Sequence, residues 1–178
     1  MNPAQLAAAI HGLHRERPDL LEALHSYART VAPGHLVDQA QAASADAERV
    51  ILTHPLGTAG QVPVDTIPDW LLLGVITAYA EWVTGNATTC PHQPTAERPQ
   101  VVAAAAGRPG RVVCASCTHL LRLSGAADRT CDRCGTVCRG LPDDGIFPGM
   151  LHYGPMVFGY GLCGQCHREA FESREPRS

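Results

Sequence analysis

The eight cysteines constrain this chain most, because all of them fall in its second half and three pairs have C-x-x-C spacing. The pairs stand in VVCASC, TCDRCG and GLCGQC, and a fourth group, TCPHQ, combines a cysteine with a histidine. Such groups are typical of zinc ligands, and four groups of two suit two tetrahedral sites. The candidate ligands are Cys90, His92, Cys114, Cys117, Cys131, Cys134, Cys163 and Cys166.

Other features of the sequence favour metal binding over disulfides. The first residues, MNPAQLAAAIHGLHRERPDL, have no basic start ahead of an apolar run, so no secretory signal is expected. The longest apolar stretch, residues 70–83, is too short to cross a membrane. We therefore expect a cytoplasmic protein without membrane contact, where regularly spaced thiols bind metal. The 14 basic side chains are all arginine, a usage typical of GC-rich bacterial genomes.

The first half of the chain has the periodicity of helices and predicts a small helical bundle. Apolar residues recur at helical spacing in residues 6–13 and 20–31, a third helix is expected over residues 36–52, and a fourth follows Pro68. The fourth helix has two adjacent apolar stripes, which make a wide face and favour a central position. Gly85 is expected to end it.

The composition of the chain changes near residue 86. Short β-prone runs, glycines, prolines and all the cysteines follow. We therefore predict an α+β protein with a helical domain at residues 1–86 and a zinc-binding domain at residues 87–178. Only 5% of the residues are aromatic, so the core consists mainly of small side chains and bound zinc would add stability.

The second half repeats one order of motifs. Cys90 and His92 precede two β-prone runs around an R-P-G turn, and CASC then opens a short apolar-periodic helix. TCDRCG precedes two apolar runs around a G-P break, and CGQC opens another helix. This order of knuckle, hairpin and helix resembles the treble-clef group of zinc fingers over roughly residues 88–174. In such a site, backbone N–H groups of the knuckle and of the helix start stabilise the thiolates.

The resemblance implies one partition of the ligands between two zinc ions. It joins Cys90, His92, Cys114 and Cys117 on one zinc, and Cys131, Cys134, Cys163 and Cys166 on the other. His119 is an alternative to His92. A zinc ribbon, joining the second and third groups, and a cross-brace, joining first with third and second with fourth, also stay open. An iron–sulfur cluster would recruit Cys138, which is otherwise expected to be a buried thiol beside the knuckle.

The motifs that are absent favour a structural role for the metal. The sequence has no H-E-x-x-H and no Walker loop, and its two H-R-E triplets lack the P-C-x-x-C of zinc deaminases. Four protein ligands close a zinc site, whereas catalytic zinc usually keeps a position for water. We therefore expect a non-enzymatic protein. The alternative is a metal-dependent enzyme whose zinc site is partly open at His92 or His119.

Two patterns suggest a partner for a recognition or adaptor protein with a regulatory role. Residues 98–139 hold seven arginines and two aspartates, a net charge of +5, and could contact nucleic acid. These arginines are Arg98, Arg108, Arg111, Arg122, Arg129, Arg133 and Arg139. The second hairpin could instead contact a protein through Phe147, Met150, Tyr153, Met156, Phe158 and Tyr160. The simpler interpretation is that the arginines are solvated and the hairpin belongs to the core.

Overall fold

The computed structural model describes residues 26, 29–53, 66–92, 94–140 and 144–171. The described α-helices are α1 (Gly34–Thr53), α2 (Asp69–Val83) and α3 (Gly164–Phe171). The strands are β1 (Thr88–Thr89), β2 (Val102–Ala105), β3 (Arg111–Cys114), β4 (Ile146–Tyr153) and β5 (Met156–Cys163). Two 3-10 helices span Ala115–Leu121 and Ala127–Arg129. This mixture of helix and sheet agrees with the predicted α+β class.

Two antiparallel hairpins lie side by side in one five-stranded sheet of order β1-β3-β2-β5-β4. Strand β2 pairs with β3 in the first hairpin and β4 with β5 in the second, and parallel pairing of β2 with β5 joins the two. The short β1 adds to β3 in parallel. Because β3 and β5 run in opposite directions, the C-x-x-C pairs at their ends lie at opposite ends of the sheet.

The largest hydrophobic core lies between α2 and the sheet. Buried residues of α2, among them Val75 and Tyr79, share this core with Val102 and Met156 of the sheet. Helix α1 contributes Val37 to the same core. The wide apolar face of α2 is thus covered by sheet residues as well as by α1. The core therefore continues across the domain boundary predicted near residue 86.

The first half matches the sequence prediction as far as it is described. The helix predicted over residues 36–52 corresponds to α1, and the one after Pro68 corresponds to α2, which ends just before Gly85. The helix at residues 6–13 and most of the one at residues 20–31 lie outside the described residues, so the helical bundle and the division into two domains stay predictions. Among the helices that are described, none is long and apolar enough to cross a membrane.

Helix α2 approaches the sheet so closely that Gly74 has no room for a side chain. A Cβ atom built there would lie 2.9 Å from Cζ of the buried Phe158. We expect Gly74→Val to lower the free energy of unfolding by about 1–3 kcal/mol through overpacking, although valine is the better helix former. Urea unfolding followed by the fluorescence of Trp70 and Trp82 measures this.

The matched control is Ala80→Val, which places the same side chain on the exposed side of α2. It should change the free energy of unfolding by less than about 1 kcal/mol, through helix propensity alone. Equal effects of the two substitutions would contradict the close contact between α2 and the sheet.

Candidate metal centres

The structure brings the eight candidate ligands together in two groups. Site A consists of Cys90, His92, Cys114 and Cys117, and site B consists of Cys131, Cys134, Cys163 and Cys166. Within each group the donor atoms lie within 4.8 Å of one another. A tetrahedral zinc ion with Zn–S bonds of about 2.3 Å would hold its sulfurs about 3.8 Å apart, so one ion can span either group after small adjustments. This grouping is the partition that the knuckle–hairpin–helix order predicts; that the groups bind metal stays a prediction.

The two sites are far apart. Cys114 pairs with Val102, and Val102 pairs with Met156 at the start of β5, whereas Cys163 ends that strand. At about 3.3 Å per residue, the eight residues of β5 separate the sites by roughly 23 Å. Each site would therefore hold its own ion, and neither could share a ligand with the other.

Site A is assembled by the pairing of β1 with β3. The register aligns Thr89 with Val112, which brings Cys90 beside the end of β3. The backbone N–H of Cys114 donates a hydrogen bond to Cys90 Sγ at 3.4 Å. On the other side, His92 Nδ1 lies 3.2 Å from Cys117 Sγ. The three cysteines are buried and His92 is exposed, so the histidine forms the outer wall of site A.

The apolar periodicity after CASC predicted a short helix, and the segment that carries Cys117 is a 3-10 helix. Arginines from the first hairpin bind the carbonyl groups at its end. Arg111 Nη1 donates to the carbonyl of Leu120 at 3.4 Å, and Arg108 Nη2 donates to that of Arg122 at 2.9 Å. These donors satisfy carbonyls that a short helix leaves free, and their positive charge suits a helix C-terminus.

Site B begins with a knuckle that is tied closely to β5. Gly135 has φ +75°, and its N–H donates to the carbonyl of Cys131 at 2.9 Å. Glycine adopts this left-handed conformation without the cost that a side chain adds. The N–H of Asp132 donates to the carbonyl of Gly161 at 2.9 Å, and the N–H of Gly161 donates to Asp132 Oδ2 at 2.7 Å. This reciprocal pair holds the knuckle against the strand that ends in the other half of the site.

The second half of site B comes from β5 and α3. Cys163 is the last residue of β5, and Cys166 lies in the first turn of α3. Cys134 Sγ lies 3.8 Å from Cys163 Sγ, which is the sulfur separation expected around tetrahedral zinc. An exposed ion pair of 2.8 Å between Arg133 and Glu169 also links the knuckle to α3. Knuckle and helix therefore approach from opposite sides of one small volume.

The thiols in each site differ in their readiness to ionise. Hydrogen bonds from Thr136 lower the pKa of Cys134 to about 6, while burial and then the neighbouring thiols raise that of Cys166 to about 12. In site A, burial acts to raise the pKa of Cys90, but hydrogen bonds with Cys114, His92 and Cys117 outweigh it, so the pKa is lowered. Burial raises the pKa of Cys117 to about 11. Adjacent thiolates repel each other, and a divalent cation between them removes that penalty.

The residues kept as alternatives lie apart from the two groups. Cys138 is 2% exposed, and burial followed by the charge of Asp144 raises its pKa, but it belongs to neither group of donor atoms. His119 is exposed and is not a member of site A. The ribbon and cross-brace schemes would need donors from opposite ends of the sheet to meet. Among the described residues, the donor atoms gather only in sites A and B.

Sequence reasoning missed the residues that position the ligands. Asp132, inside the knuckle, bonds to β5, and Thr136 has its Oγ1 3.2 Å from Cys134 Sγ. The only sequence signal for either was its place within two residues of a candidate ligand. Their roles depend on β5 and on the folded knuckle, which a local motif does not encode.

Searches against protein-family models, curated proteins and solved structures found no significant match. The chemistry of sites A and B is set by their donor atoms, seven sulfurs and one imidazole. Thiolate and imidazole ligands suit zinc among the common metal ions. Four such donors fill the coordination shell of a tetrahedral ion and leave no position for water. The donor set therefore fits a closed zinc site at each end of the sheet.

The positions of Cys134 and Cys138 predict that only replacement of Cys134 lowers the metal content. Cys134→Ser removes a donor of site B, so we expect the zinc content to fall from two ions per chain to one. Cys138→Ser changes a buried thiol outside both groups, so zinc content should stay at two. Elemental analysis of the purified variants measures this. Loss of metal from Cys138→Ser would contradict the partition and favour a cluster that includes this thiol.

Proposed function

We propose that this chain is a zinc-binding, non-enzymatic recognition protein in which two structural zinc ions hold two treble-clef-like units in shape. One observation carries the proposal: at each end of the sheet, four sulfur or nitrogen donors from a knuckle and a C-x-x-C pair come within 4.8 Å of one another. The regular spacing of the thiols fits a reducing, cytoplasmic setting, which is part of the proposal, because thiols stay available for metal there.

A structural role fits the way the cysteines take part in packing. Around site A, Cys90, Cys114 and Cys117 form a small core with Ala103 and Val113. Around site B, Cys131 and Cys166 pack with Leu162 and Ala170. Apart from the cysteines, each core has two buried apolar side chains, and partly buried residues pack against them. Zinc would supply stability there that hydrophobic burial does not, as it does in other small zinc-bound units.

X-ray absorption at the zinc edge tests the metal assignment. We expect two zinc ions per chain with seven sulfurs and one nitrogen shared between their four-coordinate shells, because sites A and B supply those donors. Adding a strong chelator should release both ions and expose the two small cores to solvent, which hydrogen exchange at residues 111–117 and 159–166 would report. A shell dominated by oxygen, or an iron spectrum, would overturn the proposal.

The recognition surface that we propose is β4, the edge strand of the second hairpin, with exposed apolar side chains on both of its faces. Strand β4 lies at the end of the strand order, and it carries Phe147 at 44% exposure and Met150 at 78%. The Phe147 ring stacks on His167 of α3 at 4.9 Å, so site B helps to hold it in place. Edge strands bind extended segments of other proteins through their free backbone groups, and exposed apolar side chains add specificity. A protein partner is therefore favoured.

The predicted nucleic-acid surface has less support, because most of its arginines bind groups within the chain. Arg108 and Arg111 bind carbonyls at the end of the 3-10 helix, Arg133 pairs with Glu169, and Arg139 lies 3.9 Å from Asp144. Arg129 Nη1 also donates to a backbone carbonyl, that of Arg139. These contacts fit the simpler interpretation, in which the arginines stabilise loops and are otherwise solvated.

Binding to random-sequence single-stranded DNA and RNA separates the two kinds of partner. At low salt we expect no more than weak binding, with a dependence on salt set by one or two contacts, because most of these guanidinium groups would have to give up a contact within the chain to bind phosphate. Fluorescence anisotropy across a salt series measures the affinity and the slope. Tight binding with a steep slope, weakened by Arg98→Gln and Arg122→Gln but unchanged by Met150→Ser, would instead establish a nucleic-acid surface.

A further inference from the structure

Site A differs from site B because a cavity of about 250 Å³ opens beside it. Three of the four candidate ligands, Cys90, His92 and Cys114, line this cavity, whereas Cys117 does not. A second cavity, between α2 and the first hairpin, is lined by Asp132 but by none of the cysteines of site B. A small molecule in the first cavity would therefore lie against three of the four residues that carry the donor atoms of site A.

The cavity is suited to an apolar molecule. Its walls include Leu36 of α1, Trp82 of α2, and Val102 and Val113 of the sheet. Among the described residues that line it there is neither an arginine nor a carboxylate. The lining histidine that is not a candidate ligand, His35, is exposed and lies at the start of α1. The ligand would enter past exposed histidines and place its body on buried aliphatic and aromatic groups.

The charge of site A selects the kind of donor atom. Three thiolates and a neutral imidazole around Zn²⁺ leave a net charge of −1. An apolar cavity without a positive side chain penalises a second negative charge, so a thiolate or carboxylate ligand is disfavoured. An uncharged nitrogen donor leaves the charge unchanged and is a normal zinc ligand.

We propose that site A binds a small uncharged nitrogen heterocycle in this cavity, with the ring nitrogen replacing His92 on the zinc. The inference rests on the proposed function, because it requires zinc in site A. The bond from zinc to the imidazole of His92 breaks and a bond to the incoming nitrogen forms; no proton or electron is transferred. His92 is the ligand that leaves because it alone is exposed among the donors of site A. The zinc would then serve as a binding site as well as a structural one.

Cadmium-113 NMR of the fully loaded chain tests the proposal with ¹⁵N-labelled 4-phenylimidazole at pH 8, where the ring is uncharged. Sites A and B should give separate resonances, because one has three sulfurs and a nitrogen and the other has four sulfurs. We expect saturable movement of the site A resonance alone, with coupling between cadmium and the ¹⁵N of the probe. The site B resonance serves as the internal control.

Variants of the cavity and of the leaving ligand sharpen the test. Ala87→Leu and Thr89→Phe each add bulk to the lining and should weaken binding at least tenfold, whereas Ala80→Leu, on the exposed side of α2, should not. His92→Ala removes the competing ligand and should tighten binding at least tenfold. 2-Phenylpyrrole has the same body without a basic nitrogen and should not move the resonance.

The outcomes separate this inference from the proposed function. Two bound cadmium ions with no response to 4-phenylimidazole would overturn the ligand site and leave the structural metals intact. Three other results would also overturn the ligand site. They are binding by both cavity variants as tight as that of the unchanged chain, a response to 2-phenylpyrrole equal to that to 4-phenylimidazole, and release of cadmium from the protein. Failure of the chain to retain metal in site A would overturn the proposed function itself.

Discussion

The rest of the fold depends on the parallel pairing of β2 with β5. Each hairpin closes through its own turn, and the four residues of β2 are all paired with β5 to join the hairpins into one sheet. The pairing fixes the direction of β3 relative to β5 and therefore places sites A and B at opposite ends. It also creates the continuous surface on which α2 packs. Slipping this register by one residue would turn Val102 and Ala104 away from the core.

The ends of this sheet are where the core becomes thinnest, and the cysteines lie there. The main core between α2 and the sheet contains large side chains such as Tyr79, Trp82 and Met156. The buried residues of the two cores at the sheet ends are cysteines with one alanine and one larger aliphatic residue each, Val113 or Leu162. Burial and the neighbouring thiols raise the pKa of Cys117 and Cys166, although hydrogen bonds lower that of the buried Cys90. A divalent cation would change the repulsion between thiolates into attraction, so metal binding would stabilise the same regions as packing.

The sequence was sufficient to predict the eight candidate ligands, because they stand in short repeated motifs, whereas their partition came only from the resemblance to the treble clef. It could not predict that α2 faces the sheet, since an apolar stripe shows how wide a buried face is but not what covers it. Nor did the charge pattern show where the arginines bind: Arg108 and Arg111 reach carbonyls 14 and 9 residues away along the chain. Long-range pairing of β2 with β5 left no local signal at all.

The two sites differ in the spacing of their first ligands and in what holds those ligands in place. In site B a full C-x-x-C knuckle is held on β5 by Asp132, and neither half of the site depends on the short edge strand. In site A, C-P-H follows the two-residue β1, and its third position falls at the exposed end of the loop. The second ligand of the first group is nevertheless exposed in both sites, His92 in site A and Cys134 in site B, so the shorter spacing does not by itself create the exposure. What distinguishes site A is the cavity beside it, from which a zinc ion bound there, as we propose, would be accessible.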